Sequence, residues 1–179
     1  MLDNPLRKFE CDGTILGFSK LIISDENYVY KYLFNKSNWP NAEAGVELLK
    51  EFDPDFYVDM YRTDNYLCYI TNKIDFIESH KVRTLIPYKD TVCAHLALYK
   101  QFGSFVTKRD LCPSNILFRK SDHRPFLIDW DQIEYFKTNE ECYKFYRVEL
   151  CCNYFWHQRY RYTQEQCEEA FDMEWEKLQ

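Results

Sequence analysis

Lys108-Arg109-Asp110-Leu111-Cys112-Pro113-Ser114-Asn115-Ile116-Leu117, followed by the apolar run Pro125-Phe126-Leu127-Ile128 and then Asp129-Trp130-Asp131, is the stretch that decides how this chain is read. An Asp and an Asn stand five positions apart, and a second Asp closes a run with the character of a buried strand. Asp110 offers a carboxylate able to take or orient a hydroxyl proton, while Asn115 and Asp129 offer two oxygen ligands suited to Mg²⁺. Those are the oxygen-bearing parts that transfer of a phosphoryl group requires, because such transfer rests on positioning and on cations that hold the phosphate oxygens.

Upstream of this stretch, Asp90 to Gln101 carries Val92, Leu96 and Tyr99 at helical spacing, which predicts a helix leading into the motif loop. Further back, Lys20-Leu21-Ile22-Ile23 and Tyr28-Val29-Tyr30-Lys31-Tyr32-Leu33 read as a hairpin about the polar Ser24-Asp25-Glu26-Asn27. Alternation along the second strand puts Lys31 on a face with Val29 and Leu33. A lysine placed among apolar neighbours is costly to bury unless it meets an anion, a carboxylate or a phosphate. An edge-strand lysine reaching out to water is the plain alternative, and the downstream motif favours the first reading.

Asn38 to Phe52 predicts a helix with Pro40 in its first turn and a stripe of Ala42, Val46, Leu49 and Phe52. Glu43 lies beside that stripe and Glu47 one turn on; either could pair with Lys31, with Glu43 preferred. Asp53-Pro54-Asp55 stops the helix, and Phe56–Tyr61 and Tyr66–Ile70 read as two more strands, for a sheet of four or five strands with one helix. After Asp131, Cys142–Trp156 and Gln164–Leu178 predict helices. Near the start, Gly13-Thr14-Ile15-Leu16-Gly17-Phe18-Ser19 could be a plain strand turn or a loop over phosphates, and the order of elements favours the loop.

With 179 residues and 46% hydrophobic content the chain is sized for one domain with its own core. A net charge of −6 argues against a nucleic-acid binder, whose affinity is built on clustered Lys and Arg. No apolar run is long enough to span a bilayer. The eight cysteines include no C-x-x-C pair, and the start shows no charged-then-apolar leader, so reduced thiols in a cytoplasmic setting are expected. Most of them should serve as small buried hydrophobes, a better reading than a zinc site of Cys142, Cys151, His157 and Cys167. The four histidines fall in unrelated segments, which predicts structural or surface roles.

Arg109-Asp110-Leu111 with Asn115-Ile116-Leu117 resembles the catalytic loop of the protein-kinase-like superfamily. Ile128-Asp129-Trp130-Asp131 resembles its metal-binding triplet, and Tyr30-Lys31-Tyr32 its strand lysine. The likeness runs in order over roughly residues 9–131. It implies an α+β, miniature bilobal kinase-like fold, with an antiparallel-sheet N-lobe with one helix over about 1–72 and a mainly helical, abbreviated C-lobe over about 73–179. It further implies ATP and Mg²⁺, with Asp110 as base, Asn115 and Asp129 on the metal, Lys31 braced by Glu43 on the phosphates, and Gly13, Gly17 and Ser19 near the nucleotide.

The departures also inform. Lys108 stands where the pattern has His, and Cys112 where serine/threonine kinases carry a lysine. Asp131 replaces the Gly of the triplet, which resembles the aminoglycoside and choline kinase branch; the small size is similar to the PhoP regulatory network YrbL type. The acceptor is therefore expected to be a hydroxyl of a protein or of a small molecule. Two alternatives stay open: a pseudokinase that binds nucleotide or protein, and a kinase-fold AMP transferase using the same metal ligands.

Overall fold

Asp25 makes the first turn. Its carboxylate accepts the backbone N–H groups of Asn27 at 2.8 Å and Tyr28 at 2.7 Å, and the Tyr30 hydroxyl at 2.9 Å. This side-chain mimic of a backbone turn joins β1 (Lys20–Ser24) to β2 (Tyr28–Leu33). A short 3₁₀ turn, Lys36–Asn38, then feeds α1 (Trp39–Phe52), with the Asn35 side chain accepting from Ser37 N at 3.1 Å. Pro40 is tolerated in the first turn, where its missing N–H has no helical partner to lose. β3 (Tyr57–Arg62) and β4 (Leu67–Asn72) complete an antiparallel sheet of order β1-β2-β4-β3.

The structure is a computed structural model and describes residues 19–78, 81–82, 85–111, 115–152 and 162–179. The chain divides into two compact units, Met1–Lys73 and Ile74–Gln179. In the first, α1 covers one face of the sheet: Trp39, Ala42 and Val46 pack on Leu33, Leu67 and Tyr69. The Trp39 indole N–H donates to Leu33 O at 2.9 Å, so the ring's one polar atom is satisfied on burial. The opposite face carries Tyr30, Tyr32, Cys68 and Ile70 with Tyr66 at its rim. Edge-to-face contacts such as Tyr32–Tyr66, with centroids 5.2 Å apart, organise that tyrosine layer.

In the second unit α2 (Tyr88–Phe102) ends at Gly103, whose φ of 72° lies where L side chains are strained. Four three-residue strands follow, β5 (Val106–Lys108), β6 (Ile116–Phe118), β7 (Pro125–Leu127) and β8 (Ile133–Tyr135), paired as β5–β8 and β6–β7. α3 (Asn139–Arg147) is capped by Thr138 and widens into a π-type turn over Val148–Cys152. α4 (Gln164–Glu176) begins with a reciprocal Thr163/Gln166 capping box.

Aromatic side chains knit these helices. Trp175 of α4 lies 4.5 Å from Tyr99 of α2 and 5.4 Å from Tyr143 of α3, centroid to centroid. Arg147 reaches from α3 to Glu168 at 2.6 Å and Asp172 at 3.3 Å on α4. The α+β architecture, an antiparallel sheet followed by a helical part, matches the expected fold class. The helix predicted from Cys142 starts three residues earlier, at Asn139, because Thr138 supplies its cap. β5, β6 and β8 were not expected, since three residues are too few to display alternation. Gly13 and Gly17 lie outside the described residues.

Candidate active site

Two short ribbons place Asp110, Asn115 and Asp129. In the β6–β7 pair Ile116 faces Leu127, Leu117 faces Phe126 and Phe118 faces Pro125. Antiparallel pairing then sets the residue before β6 beside those after β7. Ile128 N donates to Asn115 O at 3.0 Å, which seats Asn115 next to Asp129. In the β5–β8 pair Lys108 faces Ile133, and Arg109 N donates to Gln132 O at 3.0 Å, carrying the ladder one rung further. Asp110 follows directly after that rung. Asn115 Nδ2 donates to Asp110 O at 3.1 Å.

That last bond orients the amide. A main-chain carbonyl only accepts, so the NH₂ of Asn115 must face it and Oδ1 is turned away, available to a cation. Asp129 is held at φ 68°, in the left-handed region, at a cost of order 1 kcal/mol for a residue with a side chain. Its neighbours impose that angle. Ile128 is tied to Asn115, and Trp130 is buried with its indole N–H on Leu127 O at 2.7 Å. Backbone strain of this kind gathers at functional sites.

Below the loop sit two groups whose importance sequence reasoning missed. Lys108 is 0% exposed, and its Nζ donates to the Asp110 main-chain oxygen. His95 of α2 is also fully buried, and its Nδ1 meets Thr91 O at 3.2 Å. Burial, with the nearby Lys108 charge, pushes the imidazole pKa down to about 3, against the opposing pull of the Thr91 and Leu111 carbonyls and Asp110. His95 is thus neutral. Of the structural or surface places expected for the histidines, His95 takes a buried one, and its place near Lys108 had no local signal, since it joins α2 to β5. Arg109 points outward, with Nε 3.5 Å from Glu134.

The first unit carries the remaining expected site residues. Lys31 is 4% exposed on the α1-covered face, paired in register with Tyr69, and its Nζ stands 5.6 Å from the centre of that ring. Glu43 of α1 accepts from Arg62 Nη1 at 3.0 Å, and Glu47 lies 3.9 Å from Lys50. The preferred brace for Lys31 is thus engaged by a cation from β3. Ser19 O accepts the Phe34 N–H at 3.2 Å and closes the β1–β2 ladder.

Among the described residues, no three His, Cys, Asp or Glu side chains gather as a metal site, and Cys142, Cys151 and Cys167 are buried free thiols. His157, weighed with them as a zinc ligand, is outside the described residues. Asn115 sits beside the Asp129 segment through the Ile128 N–Asn115 O bond, and an amide and a carboxylate oxygen are donor types suited to Mg²⁺, which takes one or two protein oxygens and completes its shell with phosphates and water. No helix among the described residues is long and apolar enough to cross a membrane.

No protein-family model and no curated protein matches this chain. Its fold is similar to solved structures of WbdD. A co-crystal structure of WbdD with a kinase inhibitor matches with a TM-score of 0.54 and 14% identity, over 88% of this chain and 44% of that one. A structure described as the bifunctional kinase-methyltransferase WbdD matches with a TM-score of 0.53 and 12% identity, over 88% and 43%. Another WbdD crystal structure matches over 98% of this chain and 45% of its own, at a TM-score of 0.53 and 12% identity. The chain spans less than half the length of these solved chains, and at such identities the likeness is one of fold: α+β and kinase-like.

Proposed function

We propose that this chain is an ATP- and Mg²⁺-dependent phosphotransferase that passes a γ-phosphoryl group to a hydroxyl of a protein or small-molecule acceptor. The observation that supports the reading is Asn115, whose side-chain amide donates to the Asp110 carbonyl and whose own carbonyl accepts Ile128 N, the residue before Asp129, which stands at φ 68°. Asp110 accepts or orients the acceptor's hydroxyl proton, and its peptide is held by Lys108 and Asn115. Asn115 Oδ1 and the Asp129 carboxylate would hold Mg²⁺, which when bound neutralises charge on the phosphates. Lys31, buried on the α1-covered face, would hold the phosphates that are not transferred. Asp131, where kinases carry Gly, adds weight to a small-molecule acceptor.

The test is incubation with γ-labelled ATP and Mg²⁺, using the wild type, Asp110→Ala and Asp129→Asn against lysate proteins and small alcohols. Transfer is expected from the wild type, falling on the order of 10²–10³-fold in each variant. A product heavier by about 80 Da is phosphate transfer, and one heavier by about 329 Da is AMP transfer, which would replace this reading. A wild type that neither binds ATP nor passes label to any acceptor makes the chain a pseudokinase.

A further inference from the structure

The Asp110 main-chain oxygen accepts two side-chain donors. It accepts the ammonium of Lys108 from one side and the amide of Asn115, at 3.1 Å, from the other. The two donors differ in kind. Lys108 comes from β5, whose pairing with Ile133 of β8 fixes its backbone, and its side chain is fully buried. Taking an ammonium out of water is expensive unless its donors are satisfied, and here one of them meets the Asp110 carbonyl. The neighbouring imidazole of His95 is neutral and leaves the local positive charge to Lys108.

A charge-assisted hydrogen bond is about twice as strong as a neutral one, and it polarises the carbonyl it meets. The oxygen that Lys108 holds is the same one that orients Asn115. Lys108 therefore acts on two functional groups through one atom: the carboxylate-bearing residue 110, by fixing its peptide, and the oxygen ligand at 115, by fixing the acceptor of its amide.

We propose that Lys108 is a positioning residue for phosphoryl transfer, its buried ammonium locking the Asp110 peptide so that the Asp110 carboxylate and Asn115 Oδ1 are set in one geometry. The function of that geometry rests on the kinase reading above, while the lock itself is a property of the loop. Lys108 touches no reacting atom, so its removal should slow turnover and leave nucleotide affinity largely intact.

The experiment compares the wild type with Lys108→Met, which deletes the donor, and Lys108→Gln, which keeps a neutral one. Two readouts are used: steady-state kinetics with ATP and Mg²⁺, and hydrogen exchange of the nucleotide-free protein. In Lys108→Met, kcat is expected to fall about 30-fold or more with KM for ATP within about threefold of the wild type; in Lys108→Gln the fall should be about five- to tenfold. Exchange at the Arg109–Leu111 amides should accelerate while exchange in α1 is unchanged. If Lys108→Met does not fold, Lys108→Gln decides by the same two readouts. Wild-type exchange at Arg109–Leu111 in the folded variants, or unchanged kcat in an active enzyme, overturns the positioning role. An inactive wild type overturns the kinase reading and the catalytic part of this role with it, whereas accelerated local exchange would still report the lock.

Discussion

Acidification offers a test of the buried layer under the motif loop. His95 is fully buried, and its folded pKa is pushed down to about 3, first by burial and then by the Lys108 charge, from an ordinary value near 6.5. Between those two values the unfolded chain binds a proton that the folded chain refuses, so stability is complete above about pH 6.5 and falls as the pH is lowered through the window. Each pH unit well inside it costs about 1.4 kcal/mol, so moving from about pH 7.5 to about pH 5 should remove about 2 kcal/mol through this one side chain. The carboxylates held below their usual range, Asp25, Glu168 and Glu174 among them, add their own losses only further down, through the ordinary carboxylate range. Urea denaturation at several pH values, run on the wild type and on His95→Leu, isolates the histidine. The wild-type stability should drop about 2 kcal/mol more than the variant's over that interval. Parallel curves for the two proteins would mean that His95 is protonated or solvated in the folded state, and would refute the account of a neutral imidazole beside a buried ammonium.

Three other outcomes follow from the same structure. Asp129→Gly should be more stable than Asp129→Ala by about 1 kcal/mol in thermal or urea unfolding, since only glycine takes φ 68° without strain; the reverse order would contradict the backbone assignment. Arg147→Ala cuts the link from α3 to Glu168 and Asp172 and should cost about 1 kcal/mol, discounted for its partial exposure, with the loss shrinking in high salt. Phe171→Ala empties a fully buried site in contact with Tyr143 and Trp175, and should cost about 3–5 kcal/mol in equilibrium unfolding.

Elements with enough residues to show a period were legible in advance. β1 through β4, α1 and α2 each carry five or more residues with an apolar rhythm and turn chemistry at their ends, and the structure places them within a few residues of expectation. The spacing of Asp110, Asn115 and Asp129 was equally plain, because it is a matter of residue types along one stretch of chain. β5, β6 and β8 were invisible, because a three-residue strand is made by its partner: Lys108 is a strand residue only because Ile133 lies opposite.

The chain by itself therefore determined which groups could serve phosphoryl transfer, their order, and the α+β class, all of which are written in local pattern and side-chain chemistry. Tertiary structure alone decided that Lys108 is buried on the Asp110 carbonyl, that His95 lies neutral beneath it, that Glu43 is taken by Arg62, and that Asp129 is held in a left-handed conformation. The burial of Lys108 and His95 and the Glu43–Arg62 pair depend on residues far apart in the chain, and the Asp129 angle on its pinned neighbours. Such long-range pairing and burial change the charge and orientation of a side chain without changing anything in the residues adjacent to it.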